Sequence, residues 1–243
     1  MENNNPDYTY NSVVQINDLD ASRKYLAKVF TWMFIALGIS AFVAFEFFLN
    51  PGLMRLIVDP AVGGFTGLGY VAIFAPLAFS LVMSFGFNRL SYPALLFLFI
   101  IYAATIGISL SILGLIYTSA SIFGVFLSAS AIFAIMAIAG YTTSMDLSKF
   151  GSIMMMIFFG AIVVSLVNFF LHSAQLEYII SFVFVALMIG LTAYYMQMLK
   201  RIGAGIEFGT AESKKLVIIG AFVLYTTFIN LFMSMMRIFG RRR

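Results

Sequence analysis

Leu216–Phe239 reads LVIIGAFVLYTTFINLFMSMMRIF, 24 residues whose one charge, Arg237, falls in the last turn. At about 1.5 Å of rise per residue, a helix of this length is roughly 36 Å long and can cross a hydrocarbon layer of roughly 30 Å. Inside lipid the backbone has no water to bond to, so a crossing segment is either a helix or a strand of a closed barrel. A run this long, without strict polar alternation, is a helix.

Six more runs of the same kind precede it, at Val29–Leu49, Leu68–Phe87, Pro93–Tyr117, Ser121–Tyr141, Ser152–Leu171 and Tyr178–Leu199. The chain is 62% hydrophobic and 10% charged, whereas a soluble domain is about half apolar and a quarter charged. The sequence therefore predicts an all-α integral membrane protein whose seven transmembrane helices occupy residues 23–243. Residues 1–22 are polar, rich in Asn and mildly acidic, and read as a mobile tail. They lack the basic start of a signal peptide, and the first apolar run is too long for a signal core.

Basic residues orient the chain. With seven crossings, Arg23, Lys24, Lys28, Arg89, Lys149, Lys200, Arg201, Lys214 and Lys215 share the side of the N-terminus, and Arg55, Arg237, Arg241, Arg242 and Arg243 lie opposite. The positive-inside rule makes the N-terminus cytoplasmic in a cell (inner) membrane. The C-terminal arginines oppose that vote, so a last segment that enters and returns is the alternative to a seventh crossing. The net charge of +4 is spread over loops flanking the membrane, which fits headgroups and not nucleic acid.

The chain has no cysteine and one histidine, which excludes disulfides, thiolate chemistry and His- or Cys-built metal centres. No carboxylate lies mid-run to serve an intramembrane aspartyl protease, and no Gly-x-Ser-x-Gly setting accompanies His172. The protein is expected to be neither an enzyme nor the holder of a cofactor or metal. Met154-Met155-Met156 and Met233, Met235 and Met236 read as adaptable packing.

Small and polar residues recur at helical spacing: Gly107, Ser111, Gly114 and Thr118; Ala161, Ser165, Asn168 and His172; Gly220, Thr227, Asn230 and Ser234. Such stripes let helices approach closely and bond across their interface, and would equally line a narrow pore. Glu46 and His172 lie at helix exits and read as interfacial, and Arg237 as snorkelling to headgroups. Asp146, followed by Ser148, is placed to cap the fifth helix, with a role at the cytoplasmic mouth of a pathway as the alternative. Lys200–Lys215, with Gly203, Gly205 and Gly209, reads as a flexible loop. Asn50-Pro51-Gly52 and Gly63-Gly64 mark breaks.

Three segments together resemble the Bax inhibitor 1 family: Arg23-Lys24-Tyr25 leading into Trp32–Gly38, Thr142–Gly151, and Leu224–Phe232 continuing to Gly240. The resemblance runs from about Ser22 to the C-terminus. It implies six helices around a hydrophobic seventh, Leu216–Phe239. It implies a calcium leak in several members, restraint of a membrane-anchored AAA protease in a bacterial one, and suppression of cell death in eukaryotic ones. In the pH-sensitive branch, carboxylates on the sixth and seventh helices share a proton. Here Tyr194-Tyr195-Met196-Gln197 puts Tyr195 at the first position and Thr227 stands at the second, so both acids are replaced. Arg89 falls at the basic position that would pair with them. Tyr195 and Thr227 are expected to bond across the two helices, and the pathway or gate positions implied are Tyr195, Thr227, Asn230, Arg89 and Asp146. Two functions follow: a passive calcium or other cation pathway without an acid-driven gate, or an interaction protein modulating a membrane protease.

Overall fold

The computed structural model describes residues 7–59, 63–86, 89–206 and 209–243, with side chains described from Asp20 onward except Ser84. Nine helices and one small hairpin follow in order among the described residues. They are α1 (Asp7–Leu49), α2 (Pro51–Ile57), β1 (Val58–Asp59), β2 (Gly64–Phe65), α3 (Gly67–Gly86), α4 (Tyr92–Ser111), α5 (Leu113–Ile116), α6 (Ser119–Thr142), α7 (Ser148–Leu171), α8 (Ala174–Ala204) and α9 (Ala211–Phe239). Among the described residues, six stretches are long and apolar enough to cross a membrane: Asp20–Leu49 of α1, Tyr92–Ile116, α6, α7, α8 and α9. The apolar helix α3 is shorter and carries Pro76 inside it.

The helices outrun the apolar runs at their polar ends. α1 starts at Asp7, far ahead of Val29, α8 continues to Ala204 and α9 begins at Ala211. The segment read as a loop, Lys200–Lys215, is thus mostly helix, because its charges extend α8 and α9 beyond the hydrocarbon, where they need no desolvation. Glu207 lies outside the described residues. The all-α reading is corrected in one place. Val58 pairs with Phe65 and Asp59 with Gly64 in an antiparallel hairpin, turned through Gly63 at φ +65°. The third apolar run divides at Ile112 into α4 and α5.

Hydroxyl and amide side chains start the helices. Asn50 Oδ1 accepts from Gly52 N at 3.0 Å, Thr118 Oγ1 from Ser121 N at 3.4 Å, Ser173 Oγ from Leu176 N at 3.3 Å and Thr210 Oγ1 from Ser213 N at 3.1 Å. Each satisfies a backbone N–H that the helix itself leaves open, typically worth about 1 kcal/mol.

Burial ranks the helices. Of its most apolar window, 67% is buried in α9 and 6% in α7. α9 packs against α8, α1, α6 and α4, whereas α3 packs on α4 and α7 on α8. Ile218, Ala221, Leu224, Tyr225, Leu231 and Met236 of α9 are fully buried. Phe34 and Phe42 of α1, Phe97 of α4, Ile135 of α6 and Phe170 of α7 face outward. A soluble protein seldom exposes apolar patches beyond a few hundred Å². An outer surface of this kind belongs in lipid.

α9 is one uninterrupted helix, and the residues after it pair with the α5–α6 turn. Thr118 N donates to Arg241 O at 3.1 Å and Arg243 N to Ile116 O at 3.0 Å, with a bridge between Tyr117 and Arg242. The chain therefore ends at the opposite end of the bundle from Ser22, Asp146 and Lys200. A last segment that turns back is ruled out.

Candidate functional site

One set of polar groups in the core meets where α9 packs against α1 and α4. Ser40 Oγ on α1 lies 2.6 Å from the Tyr225 hydroxyl on α9, 2.7 Å from Ala103 O on α4 and 3.0 Å from Ala36 O. A serine has one proton, so it donates to a carbonyl and accepts from the tyrosine. Close by, the Tyr102 hydroxyl lies 3.3 Å from Thr226 Oγ1. Phe99, Tyr102, Phe222 and Tyr225 stack edge to face around these bonds. Gly107 makes the approach possible, since a Cβ there would meet Ser40 O and Val43. Nearer the Lys200 end, the Tyr25 hydroxyl donates to Leu216 O at 2.9 Å. Among the described residues no buried side-chain polar atom lacks a partner. The junction is closely packed and hydrogen-bonded within the protein.

A second cluster joins the α6–α7 loop to α8. Gln197 brackets the loop backbone: its Nε2 donates to Met145 O at 2.7 Å and its Oε1 accepts from Leu147 N at 2.9 Å. Arg201 Nη2 donates to Asp146 Oδ1 at 2.8 Å and to Gln197 Oε1 at 3.2 Å, and Nη1 donates to Ser148 Oγ at 3.1 Å. Lys200 Nζ donates to Tyr141 O at 2.8 Å, and Ser22 Oγ to Lys200 O at 2.9 Å. Asp146 Oδ1 also accepts from Ser148 N at 3.1 Å and Ser148 Oγ at 2.8 Å. The N-cap position of α7 is Leu147 and carries no side-chain cap bond, so Asp146 meets the first N–H of the helix from one residue further out and adds an ion pair. Arg201 first, then Ser148, holds the Asp146 carboxyl at about 2, below its usual 3.8.

The positions implied by the resemblance are not brought together. Tyr195 faces α7, where its hydroxyl donates to Met155 Sδ at 3.5 Å, and Thr227 Oγ1 donates to Val223 O of its own helix at 2.8 Å. The expected bond between Tyr195 and Thr227 is absent, because each hydroxyl has a nearer partner on α7 or one turn back on α9. Arg89 is exposed in the α3–α4 turn, its N–H donating to Gly86 O at 2.9 Å. Asn230 is half-buried on α9, and Asp146 sits in the α6–α7 loop. The α7 stripe is engaged locally: Ser165 Oγ donates to Ala161 O of its own helix, and Asn168 Oδ1 accepts from the N–H of Ser173, the N-cap of α8. His172 ends α7 at φ 51°, its N–H donating to Asn168 O at 2.8 Å. Among the described residues, no group of three His, Cys, Asp or Glu side chains could hold a metal ion.

Sequence reasoning passed over Ser40 and Tyr102. A serine in Gly38-Ile39-Ser40-Ala41 carries no signal of its own, and its partner stands 185 residues away.

A family model described as inhibitor of apoptosis-promoting Bax1 matches residues 22–243. The chain belongs to the Bax inhibitor 1 family. Among members of that family, the inner membrane protein YbhL of Escherichia coli strain K12 is 39% identical over 220 residues, covering 90% of this chain and 92% of the relative. RP147 of Rickettsia prowazekii, an uncharacterized protein, is 38% identical over 224 residues, covering 91% of both. An uncharacterized protein of Borreliella burgdorferi is 35% identical over 222 residues, covering 90% of this chain and 93% of the relative. Two of the segments quoted from the sequence pack on α8 and α9. Tyr25 touches α9 through Leu216, and Thr142–Gly151 is clasped by α8 through Gln197, with Gly151 against the Tyr194 ring.

Proposed function

We propose that this member of the family is a passive cation pathway, with calcium as its ion, and that the packing of α9 against α1 and α4 is the closed gate. The observation that carries the reading is the Ser40–Tyr225 and Tyr102–Thr226 pair of hydroxyl contacts, a neutral polar seam between helices in a largely apolar core. Hydroxyls and carbonyls conduct cations where they replace part of a hydration shell. The bundle crosses the inner membrane seven times, α3 included, with α9 as its central helix and the N-terminus in the cytoplasm. It catalyses no reaction.

Neutral residues at Tyr195 and Thr227 leave no shared proton near neutral pH. Calcium entry into liposomes holding the purified protein, against empty liposomes, tests the reading. Flux above the control that is flat between pH 6 and 8 is expected. No flux above control refutes the pathway, and a steep, saturating pH dependence refutes the neutral gate. Tyr195→Asp with Thr227→Asp is expected to introduce pH dependence. Deleting residues 1–22 is expected to leave flux intact, whereas a tethering role toward a membrane protease would be lost with the tail.

A further inference from the structure

α1 and α6 both pack on α9 but not closely on each other. Between them lies a cavity of about 490 Å³, walled by Leu37, Ala41 and Phe45 of α1 and Ile122 and Phe126 of α6, with Phe232 of α9 at its floor. It opens sideways: Phe45 and Phe123 line it, yet are 59% and 64% exposed. Its polar members are serines, and Ser40 is already engaged by Tyr225. Such a lining suits hydrocarbon and not a hydrated ion. Its α1 wall runs from Leu37 to Phe48, about 16 Å of helix, which is half of a hydrocarbon layer of roughly 30 Å. The groove is one leaflet deep.

The mouth of the groove is basic. The backbone of Arg241–Arg243 is pinned to the α5–α6 turn, and Arg241 N donates to Ser121 Oγ at 2.9 Å. The Arg243 guanidinium lies over the ring of Phe48, 5.7 Å from its centre, and Phe48 lines the cavity. Among the described residues, Arg241, Arg242 and Arg243 form no ion pair with a carboxylate. Three arginines whose backbone is pinned at one end of an acyl-sized slot, with the Arg243 guanidinium beside its lining, match one kind of molecule.

We propose that the α1–α6 groove is a binding site for an anionic glycerophospholipid, one acyl chain lying along α1 from Phe48 to Leu37 and the phosphate held by Arg241–Arg243. Guanidinium forks bind phosphate oxygens in pairs. The pinned strand keeps the arginines over the groove and not free in the interface. The lipid bridges α1 and α6 on the side where the protein itself does not, which makes it a stabilising ligand of the closed bundle. The proposal does not depend on ion conduction.

Thermal unfolding of the purified protein in detergent, titrated with phosphatidylglycerol or phosphatidylcholine, tests it. Phosphatidylglycerol is expected to raise Tm more than phosphatidylcholine, and free glycerol phosphate to leave it unchanged. Replacing Arg241, Arg242 and Arg243 together by Gln is expected to weaken phosphatidylglycerol at least about tenfold, the scale of removing several basic contacts to an anionic headgroup. Arg55→Gln, on α2 outside the groove, is expected to leave it intact. Ala41→Trp fills the slot and is expected to reduce the response to both lipids. Lipid retained by each protein in native mass spectrometry reads the same occupancy without reference to starting Tm. Equal response of the wild type to the two phospholipids, a headgroup preference surviving in the triple variant, or full lipid retention in Ala41→Trp each overturns the proposal.

Discussion

Replacing Ser40 by alanine and Tyr225 by phenylalanine removes the two halves of one bond with unequal consequences. Both side chains are buried, at 1% and 0% exposure. In Tyr225→Phe the serine still donates to Ala103 O or Ala36 O, so the loss is one interhelical bond, about 0.6 kcal/mol and at most about 1.7. In Ser40→Ala the phenol keeps its place in the aromatic cluster with no acceptor for its proton. That leaves a buried donor unsatisfied, at about 1–3 kcal/mol. The double variant removes the orphan, so it is expected to be less destabilised than the sum of the singles, with a coupling of about 1 kcal/mol. Reversible unfolding in mixed micelles, monitored through the near-ultraviolet signal of the tyrosines, measures all three. If the two single losses are equal and additive, the bond contributes nothing and the polar seam is misread.

The α6–α7 clamp gives a second contrast. Gln197→Ala removes two bonds from a side chain in a residue only 7% exposed, and is expected to cost about 1–3 kcal/mol and open residues 143–147 to protease. Asp146→Asn breaks an exposed pair and is expected to change cleavage far less, because solvent screens such pairs. Asp146 is held at about 2 against 3.8, a depressed carboxylate, so its contribution is complete above about 3.8 and disappears as pH falls through about 2. Amide exchange of the loop is therefore expected to show no Asp146-dependent change between pH 5 and 8, and loosening appearing below pH 5 only; a transition near neutrality refutes this. Gly140→Val drives a side chain into the Ala193 backbone at the α6–α8 crossing and is expected to cost about 1–3 kcal/mol in the same unfolding assay. Gly38→Ala meets nothing within 4 Å and is expected to be neutral or stabilising by up to about 1 kcal/mol.

The course of the long apolar helices was legible in the sequence because the solvent imposes a length; of the seven crossings read there, six are long apolar helices among the described residues. Hydrocarbon of fixed thickness demands about 20 apolar residues per crossing and forbids unpaired backbone within it, a constraint written along the chain one segment at a time. Leu216–Phe239 announces itself as a helix on those grounds alone, and Asp146 as a partner of the first N–H of α7 by its distance from Ser148. Helix ends were less legible: α8 and α9 continue through Lys200 and Lys215 because charge blocks entry into lipid and not helix formation.

Which hydroxyl meets which was decided in three dimensions. Tyr195 and Thr227 occupy positions that the resemblance pairs, yet rotation about α8 and α9 turns one toward Met155 and the other back onto Val223. Ser40 finds Tyr225 only because Gly107 admits α1 close to α4, and the groove exists because α1 and α6 share α9 without packing closely on each other. The sequence alone determined the membrane, the helices and the family. The core junction, the loop clamp and the groove are products of packing, since contacts between residues a hundred or more positions apart depend on helix rotation and crossing, which no local pattern of apolar residues specifies.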